Sequence, residues 1–269
     1  MPNVLALMAH PDDIEITCAG TLLLLGDAGW QVHLATMTAG DMGSATQSRQ
    51  AISRIRRREA AASAAVLGGG YTCLGFNDLT IRCDEPAKRI VSGLLREVRP
   101  DLVITHPPVD YMADHEETSR LAREASFCST IPNWVAPRPP GSRRSRSRAA
   151  TPPCATLPAI LYADPIDLVD HHGRQVPAHH VVDITAVIDR KEQMLAAHAS
   201  QRAWLHAQHG EDEYLHWMRR LGRARARDLR RGGGRYAEGF VPHLGHGFPK
   251  VDLLTPALGR GRVRTFARP

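Results

Sequence analysis

The chain has 269 residues, of which 43% are hydrophobic and 23% charged, and its formal net charge is +6. This length and apolar content predict one large domain or two small ones with an ample core. Apolar stretches such as residues 16–25 are far shorter than the roughly 20 residues of a membrane span, which excludes a transmembrane protein. No basic region precedes the first apolar run, so no signal peptide is indicated and we expect a cytoplasmic protein.

The positive charge and the cysteines are both distributed in informative ways. Five arginines lie in residues 138–148 and eight in residues 219–235, and without these two segments the remaining 21 basic and 27 acidic residues give a net charge of −6. The positive charge is therefore local, and we expect the second tract to be a solvated helix face. The five cysteines include no C-x-x-C pair, which argues against a disulfide framework and against a thiolate zinc site.

The first half of the sequence alternates between strand-like and helix-like patterns. Short apolar runs predict strands at residues 3–8, 31–37, 71–76 and 101–105. Segments of helical period follow them, at residues 13–28, 47–67, 85–98 and 114–127. Strands separated by helices predict an α/β fold, a Rossmann-like parallel sheet flanked by helices, for residues 1–130.

The second half has a weaker pattern. Residues 131–158 contain seven prolines and five arginines, which predicts a long loop or lid. Strands are predicted at 159–162 and 180–184, and helices from residue 184 or 185 to about 206 and over 211–229. The tail shows little regular signal apart from YAEGF at residues 236–240. We expect residues 159–269 to be a mixed extension that completes the sheet and the site of a single domain.

Histidines and aspartates follow two of the predicted strands. In chain order they are His10, Asp12, Asp13, His106, Asp114 and His115. In an open parallel sheet, ligands bind beyond the carboxyl ends of the strands, where successive crossovers go to opposite sides. If the first and fourth strands are neighbours, the side chains of His10, Asp12, Asp13, His106 and His115 converge on one crevice. Two imidazoles and one carboxylate form a three-ligand zinc site that leaves a position for water, and a second carboxylate can take the proton of that water.

Each residue taken alone also fits a simpler interpretation. An aspartate between a strand and a helix is commonly an N-cap, which applies to Asp12, Asp13 and Asp114. His106 equally fits a hydrogen-bonded histidine at a strand end. The joint placement at strand ends favours the metal site, because capping does not require it.

Short motifs along the chain resemble those of the PIG-L / LmbE-like zinc de-N-acetylases. The first is HPDDIE at residues 10–15, after the first strand. In the family's order there follow TAGD at 38–41, R-x-x-E at 56–59, LGF-x-D at 74–78, DH at 114–115 and HASQ at 198–201. The ordered set covers about residues 4–201, and YAEGF is a weaker echo beyond it.

The resemblance implies a metal and a reaction. It implies that His10, Asp13 and His115 bind Zn²⁺ and that Asp12 is the general base and later the general acid. The implied reaction is hydrolysis of the N-acetyl group of an N-acetylglucosaminyl moiety, in which zinc-bound water attacks the amide.

Further residues are expected around these four. Arg56, Asp41 and His106 are predicted to bind substrate, with Asp114 supporting the ligands from outside. Arg56 has an alternative role as a tether of the loop at residues 40–41.

One position departs from the family motif. The family's H-P-D-H is Met112-Ala113-Asp114-His115 here, so a thioether replaces a histidine that assists near the oxyanion in relatives. A thioether can neither donate a hydrogen bond nor carry a proton. Either zinc suffices or another donor, His198 or His106, fills the role. We predict that His198 does, because it lies in the HASQ match; a helix histidine bonded to backbone is the alternative.

The substrate is less constrained than the reaction. The segments LMAHPDDIE and YMADHE are similar to those of deacetylases in teicoplanin-type glycopeptide biosynthesis, which act on an N-acetylglucosaminyl pseudoaglycone. A small thiol-precursor glycoside of the mycothiol type is the alternative. For a glycopeptide, residues 131–158 are the expected wall of the site, and trimming them is predicted to raise KM more for a glycopeptide than for free N-acetylglucosamine. No stable membrane insertion is expected, and the sequence leaves the oligomeric state open.

Two other classes of protein are less consistent with the sequence. The acidic remainder and the 5% aromatic content oppose nucleic-acid binding through the arginine tracts, which salt-dependent oligonucleotide binding would test. No G-x-G-x-x-G follows the first strand, which opposes a dinucleotide-binding protein. Gly68-Gly69-Gly70 follows a helix and predicts a C-cap and turn.

Overall fold

A computed structural model of the chain describes residues 1–140, 151–202, 213–229 and 234–267. Within these ranges eight strands form one sheet, in the order β3-β2-β1-β4-β5-β7-β6-β8. The strands are β1 (Asn3–Met8), β2 (Gln31–Thr38), β3 (Gly70–Phe76), β4 (Leu102–Thr105), β5 (Ala159–Ala163), β6 (His180–Asp183), β7 (Ala237–Pro242) and β8 (Val263–Thr265). The five strands from β3 to β5 are parallel, whereas β7 is antiparallel to both its neighbours and β8 is antiparallel to β6.

Helices flank this sheet. They are α1 (Asp13–Thr17), α2 (Ala19–Asp27), α3 (Arg49–Val66), α4 (Glu85–Val98), α5 (Ala113–Ser129), α6 (Ile188–Ala196), α7 (Glu213–Ala226) and α8 (Leu254–Leu258). Local signals explain where the longer ones begin: the Ser48 side chain accepts from the N–H of Ala51 before α3, and Asp84 accepts from the N–H of Ala87 before α4. None of the helices within the described ranges is long and apolar enough to cross a membrane.

The central strand β1 is buried on both faces, which explains its continuous apolar sequence. Val4, Ala6 and Met8 belong to the core on one side of the sheet, and Leu5 and Leu7 to the core on the other. Each fully buried leucine contributes about 1.5–3 kcal/mol relative to an exposed one. The predicted α/β fold with its parallel core is confirmed, and the four strands predicted in the first half are present.

Three predictions of secondary structure need correction. The helix predicted over residues 13–28 is two helices, because Cys18 leaves the helical region at φ −143° and separates α1 from α2. The helix predicted to reach residue 206 begins with a 3₁₀ turn at Thr185–Val187, and α6 ends at Ala196. Residues 199–202 are helical again, and residues 203–206 lie outside the described ranges. The strands β7 and β8 were not predicted, because β7 carries a glycine and a buried glutamate and β8 has three residues.

The two arginine tracts have different outcomes. Most of the first, at residues 141–150, lies outside the described ranges, as do residues 230–233 of the second. In the described part of the second tract, the prediction of a solvated helix face is wrong for two arginines, Arg225 and Arg219. Arg225 is 5% exposed and forms a bidentate ion pair with Asp164, and Arg219 bonds to Glu192 and Asp189. These arginines hold α7 against the rest of the molecule.

Candidate metal centre

The topology places the carboxyl ends of β1 and β4 side by side. β1 pairs with β2 on one side and with β4 on the other, so the crossovers change direction between β1 and β4. The expectation that the first and fourth strands are neighbours is confirmed. The switch point brings His106, which follows β4, to the backbone after β1, where its Nε2 accepts from the N–H of Ala9 at 3.0 Å.

The turn from β1 into α1 separates the two adjacent aspartates. Asp12 has φ 102°, in the left-handed region that aspartate tolerates better than most residues but that costs about 1–3 kcal/mol. Asp12 occupies the N-cap position of α1, as the simpler interpretation has it, but its side chain makes no capping bond there. The Asp13 Oδ2 instead accepts from the N–H of His10 at 2.7 Å. The strained turn therefore presents two carboxylates in different directions.

Three buried side chains converge on one point. The potential ligand atoms of His10, Asp13 and His115 all lie within 4.8 Å of one another. The His10 Nδ1 is 3.4 Å from Asp13 Oδ2, and the His115 Nε2 is 3.5 Å from Asp13 Oδ1. Two further overlapping sets meet the same criterion in the described ranges, His106 with Asp110 and His115, and His10 with Asp78 and Asp114.

The outer nitrogens of the two histidines are held by carboxylates. The His10 Nε2 lies 2.9 Å from Asp78 Oδ1 and 3.2 Å from Asp114 Oδ2, and the His115 Nδ1 lies 2.9 Å from Asp110 Oδ1. Carboxylates in this position fix the tautomer of metal-binding histidines and aim the other nitrogen at the metal. The buried Nε2 of His115 has no hydrogen-bond partner. A buried imidazole nitrogen that has no hydrogen-bond partner and lies beside a carboxylate is what a metal-binding site would provide.

The charges of the cluster also fit a cation. Burial lowers the pKa of His10, but hydrogen bonds to Asp114, Asp13 and Asp78 outweigh it and raise that pKa well above its usual value. For His115, burial is likewise outweighed by Asp13 and Asp110, which raise its pKa. The carboxylates thus outnumber the imidazoles and favour positive charge between them. A divalent cation would satisfy the same demand, because it binds neutral imidazole and ionised carboxylate.

Asp12 lies beside this cluster with its own partners. Its Oδ2 accepts from the hydroxyl of Tyr214 at 2.5 Å and from Arg56 Nη2 at 3.2 Å. Burial raises the pKa of Asp12, partly offset by the positive charge of Arg56. Because both bonds fall on Oδ2, Oδ1 is the oxygen left for another proton.

The residues predicted to bind substrate make contacts within the protein. Arg56 is 4% exposed and donates to the carbonyls of Gly40 and Pro11 as well as to Asp12, which are the contacts of the alternative, tethering role. Asp41 bonds to Arg49 and accepts from the N–H of Asp78. Substrate binding by these residues stays a prediction.

Three residues connected with the missing family histidine, His106, His198 and Met112, lie near the cluster or beside the elements that carry it. His106 stacks on His115 with ring centroids 3.9 Å apart, and burial together with His115 lowers its pKa to about 4, so it stays neutral beside the cluster. His198 is 0% exposed and its Nε2 lies 3.3 Å from Glu15 Oε1, so its ring lies behind α1. Met112 precedes α5. Catalysis by His198 stays a prediction.

Asp114 bonds as an outer residue. Besides His10, it accepts from the N–H groups of Leu79 and Ile81, so it ties the segment after β3 to the cluster. These bonds replace the capping interpretation of Asp114.

Four residues of the site were not assigned from the sequence. Asp78 ends the LGF-x-D match and Asp110 precedes the DH match, so nearby motifs could have indicated them. Tyr111 is 62% exposed with its ring edge against His115, and Tyr214 is 202 positions from Asp12. No local pattern connects either tyrosine to the metal cluster.

Comparisons with known proteins agree with this geometry. Residues 5–126 match the PIG-L family, described as GlcNAc-PI de-N-acetylase. The chain is 26% identical over 210 residues to a Bacillus anthracis protein named Probable N-acetyl-alpha-D-glucosaminyl L-malate deacetylase 2, covering 75% of this chain and 82% of that protein.

Solved structures extend the likeness beyond residue 126. N,N'-diacetylchitobiose deacetylase from Pyrococcus horikoshii has a TM-score of 0.71 at 26% identity, covering 93% of this chain and 88% of that one. Two others share the fold: the zinc-inhibited form of teicoplanin deacetylase Orf2 (TM-score 0.65, 15% identity, 89% and 97% covered) and the hydratase GalB from Pseudomonas putida (TM-score 0.70, 20% identity, 94% and 100% covered). The predicted resemblance to the PIG-L family is confirmed for residues 5–126, and the residues of the candidate metal site lie within this range.

Proposed function

We propose that the chain is a zinc-dependent deacetylase that hydrolyses the N-acetyl amide of a glucosamine-type sugar. The observation that carries the proposal is the orphaned Nε2 of His115, which faces Asp13 and His10 with Asp12 alongside. His10, Asp13 and His115 would hold the metal. Two imidazoles and a carboxylate are a ligand set that zinc uses in hydrolytic enzymes.

The residues of the chain divide the work of the reaction. Zinc, when bound, supplies a Lewis acid for the amide carbonyl and acidifies a water molecule to a pKa of about 7. Asp12 takes the proton of the attacking water on Oδ1 and gives it to the departing amine. Arg56 and Tyr214 hold Oδ2, so the carboxylate keeps one orientation through both transfers.

The substrate is best supported as a small N-acetylglucosaminyl glycoside. The Bacillus anthracis relative aligns over most of its length and is named for a glucosaminyl malate, and a Tsukamurella paurometabola relative at 28% identity is named for an inositol glycoside. The likeness to the teicoplanin deacetylase is one of fold. A glycopeptide of that type is therefore the second candidate, and its predicted wall includes residues outside the described ranges.

Mass spectrometry of the products tests the reaction and the substrate together. Zinc-loaded protein is incubated with N-acetylglucosaminyl malate, diacetylchitobiose and a teicoplanin-type pseudoaglycone. We expect a loss of about 42 Da, one acetyl replaced by hydrogen, and a decrease of about 10²–10⁴-fold in rate for Asp12→Asn.

Asp84→Asn is the matched control, because Asp84 caps α4 away from the site and asparagine caps equally well. A wild-type protein that binds no zinc, or that deacetylates none of these compounds, would overturn the proposal.

A further inference from the structure

The YAEGF segment places a carboxylate in the core beside the helix that carries Asp13. Glu238 of β7 is 3% exposed, and Lys191 of α6, which donates to its Oε1 at 2.6 Å, is 1% exposed. Burying two charges costs desolvation energy that their attraction often fails to repay, so such a pair is weak evidence for stability by itself. Its role is better sought in the groups that the pair holds.

Both side chains bond to the backbone where α1 ends and α2 begins. Lys191 Nζ donates to the carbonyl of Ile16 at 2.9 Å, and the two oxygens of Glu238 accept from the N–H groups of Gly20 and Thr21 at 2.8 and 2.7 Å. The first N–H groups of a helix have no partner within it, and the helix dipole favours a negative charge there. The ion pair therefore fixes the end of α1 relative to the start of α2.

The space around Gly20 is a second observation, independent of the hydrogen bonds, that Glu238 lies close to the start of α2. A Cβ at Gly20 would lie 2.9 Å from Glu238 Oε1 and 2.8 Å from two side-chain atoms of Ile184. These distances are too short for any residue with a side chain. The close approach of the carboxylate to α2 thus depends on a glycine at this position.

The helix α1 cannot maintain its geometry by itself. It has five residues, and helices of that length are not stable in isolation. The helix α1 begins with Asp13, directly after the strained Asp12. The proposed metal ligand Asp13 and the proposed base Asp12 therefore both depend on the orientation of α1. One anchor is Glu15, whose Oε1 accepts from Ser63. Another is the carbonyl of Ile16, held by Lys191.

We propose that Lys191 and Glu238 are positioning residues of the metal site, which hold α1 so that Asp13 faces His10 and His115. The two halves of the chain are joined here, because β7 and α6 follow residue 158 and α1 precedes residue 18. The proposal rests on the proposed metal site and is independent of the substrate.

Metal affinity measures positioning separately from activity. Apo protein is titrated with Zn²⁺ in competition with a chromophoric chelator, and the Tm of each apo variant is recorded. The variants are Lys191→Met, Glu238→Gln and the double variant. The double variant keeps no unpaired buried charge, so it folds where a single variant fails. Arg96→Met is the control: Arg96 is 3% exposed and donates to the carbonyls of Ser129, Ile131 and Thr151, away from α1.

The two possible roles of the pair give different results. Positioning predicts that the zinc Kd rises roughly 10-fold or more in the double variant, within the range seen when support of a metal ligand is lost. Arg96→Met should lower Tm while leaving the zinc Kd at the wild-type value. If the double variant lowers Tm as Arg96→Met does and leaves the zinc Kd unchanged, the pair is structural only and the proposal is overturned.

Discussion

The two halves of the chain contribute to the site in different ways. Within the described ranges, all the candidate ligand sets come from residues 10–115, beyond the carboxyl ends of β1, β3 and β4 and at the starts of α1 and α5. Residues 159–267 contribute groups that hold this cluster from behind: Tyr214 bonds to Asp12, and Lys191 and Glu238 bond to the backbone around α1. In the proposed site the first half supplies the reactive groups, and the second half fixes their orientation.

The largest effect should follow from removing a ligand in the first half. His115→Ala leaves Asp13 and His10 without the third donor. We expect stoichiometric zinc binding to be lost and kcat to fall by at least about 10³-fold, because both the Lewis acid and the acidified water depend on the metal. Metal content after dialysis and kcat are measured on the same sample.

Asp110→Asn sharpens this test. It keeps all three ligands and removes only the carboxylate that holds His115 Nδ1, so a weaker loss of about 10–100-fold in affinity or activity is expected. Full zinc binding by His115→Ala would contradict the ligand set.

The next effect should come from the second half and leave the metal in place. Tyr214→Phe removes one of the two bonds to Asp12 Oδ2. A hydrogen bond to a charged group is worth about 1.5–3 kcal/mol, so kcat should fall roughly 10–100-fold if the bond is needed in the transition state. The zinc Kd should not change.

Tyr71→Phe is the matched control, because the Tyr71 hydroxyl bonds to Thr36 in the sheet and not to the site. Equal effects of the two variants on kcat would show that Tyr214 acts through stability alone. Tyr214 would then give no support to the idea that the second half orients the reactive groups of the first.

The different contributions of the two halves explain which parts of the fold and of the candidate site could be predicted from the sequence. The cluster of candidate metal ligands follows from local patterns: a strand, a turn with HPDD, and a second strand followed by His106. Their convergence requires only that β1 and β4 be neighbours, which the alternation of strands and helices indicates. The break at Cys18 was missed, because the N–H of Gly20 just after it is held by Glu238, 218 positions further along the chain. Side chains such as Glu238 and Tyr214 act through tertiary contacts, which leave no periodic pattern in the sequence.

A smaller effect should separate two roles of His198. If His198 fills the role that Met112 cannot, it does so through its positive charge, which favours the ionised form of Asp12. His198→Ala should then lower kcat by about 10-fold with zinc content intact. Burial lowers the pKa of His198, but Glu15 outweighs it and raises that pKa, which favours the protonated ring.

Ser63→Ala is the control, because Ser63 is the other partner of Glu15. It loosens one anchor of α1 but keeps the charge of His198, so it should lower kcat less than His198→Ala does. An unchanged kcat in His198→Ala would refute the predicted role and assign the histidine to holding Glu15.

The smallest effect should come from a residue of the second half that lies away from the cluster. Asp252 Oδ1 accepts from the N–H groups of Leu254 and Thr255 at the start of α8, so Asp252→Ala should cost about 1 kcal/mol of unfolding free energy and leave the zinc Kd and kcat unchanged.

Burial raises the pKa of Asp252, but the bonds from Thr255 outweigh it and lower that pKa overall. A carboxyl with a lowered pKa in the folded state stabilises it above the unfolded-state pKa of about 3.9. The stability difference between the two proteins should therefore be constant at neutral pH and vanish as the pH falls through the lowered folded-state value. Urea unfolding at several pH values measures it, and a change in zinc Kd would show that orientation of the site depends on the whole second half and not on the few residues that contact it.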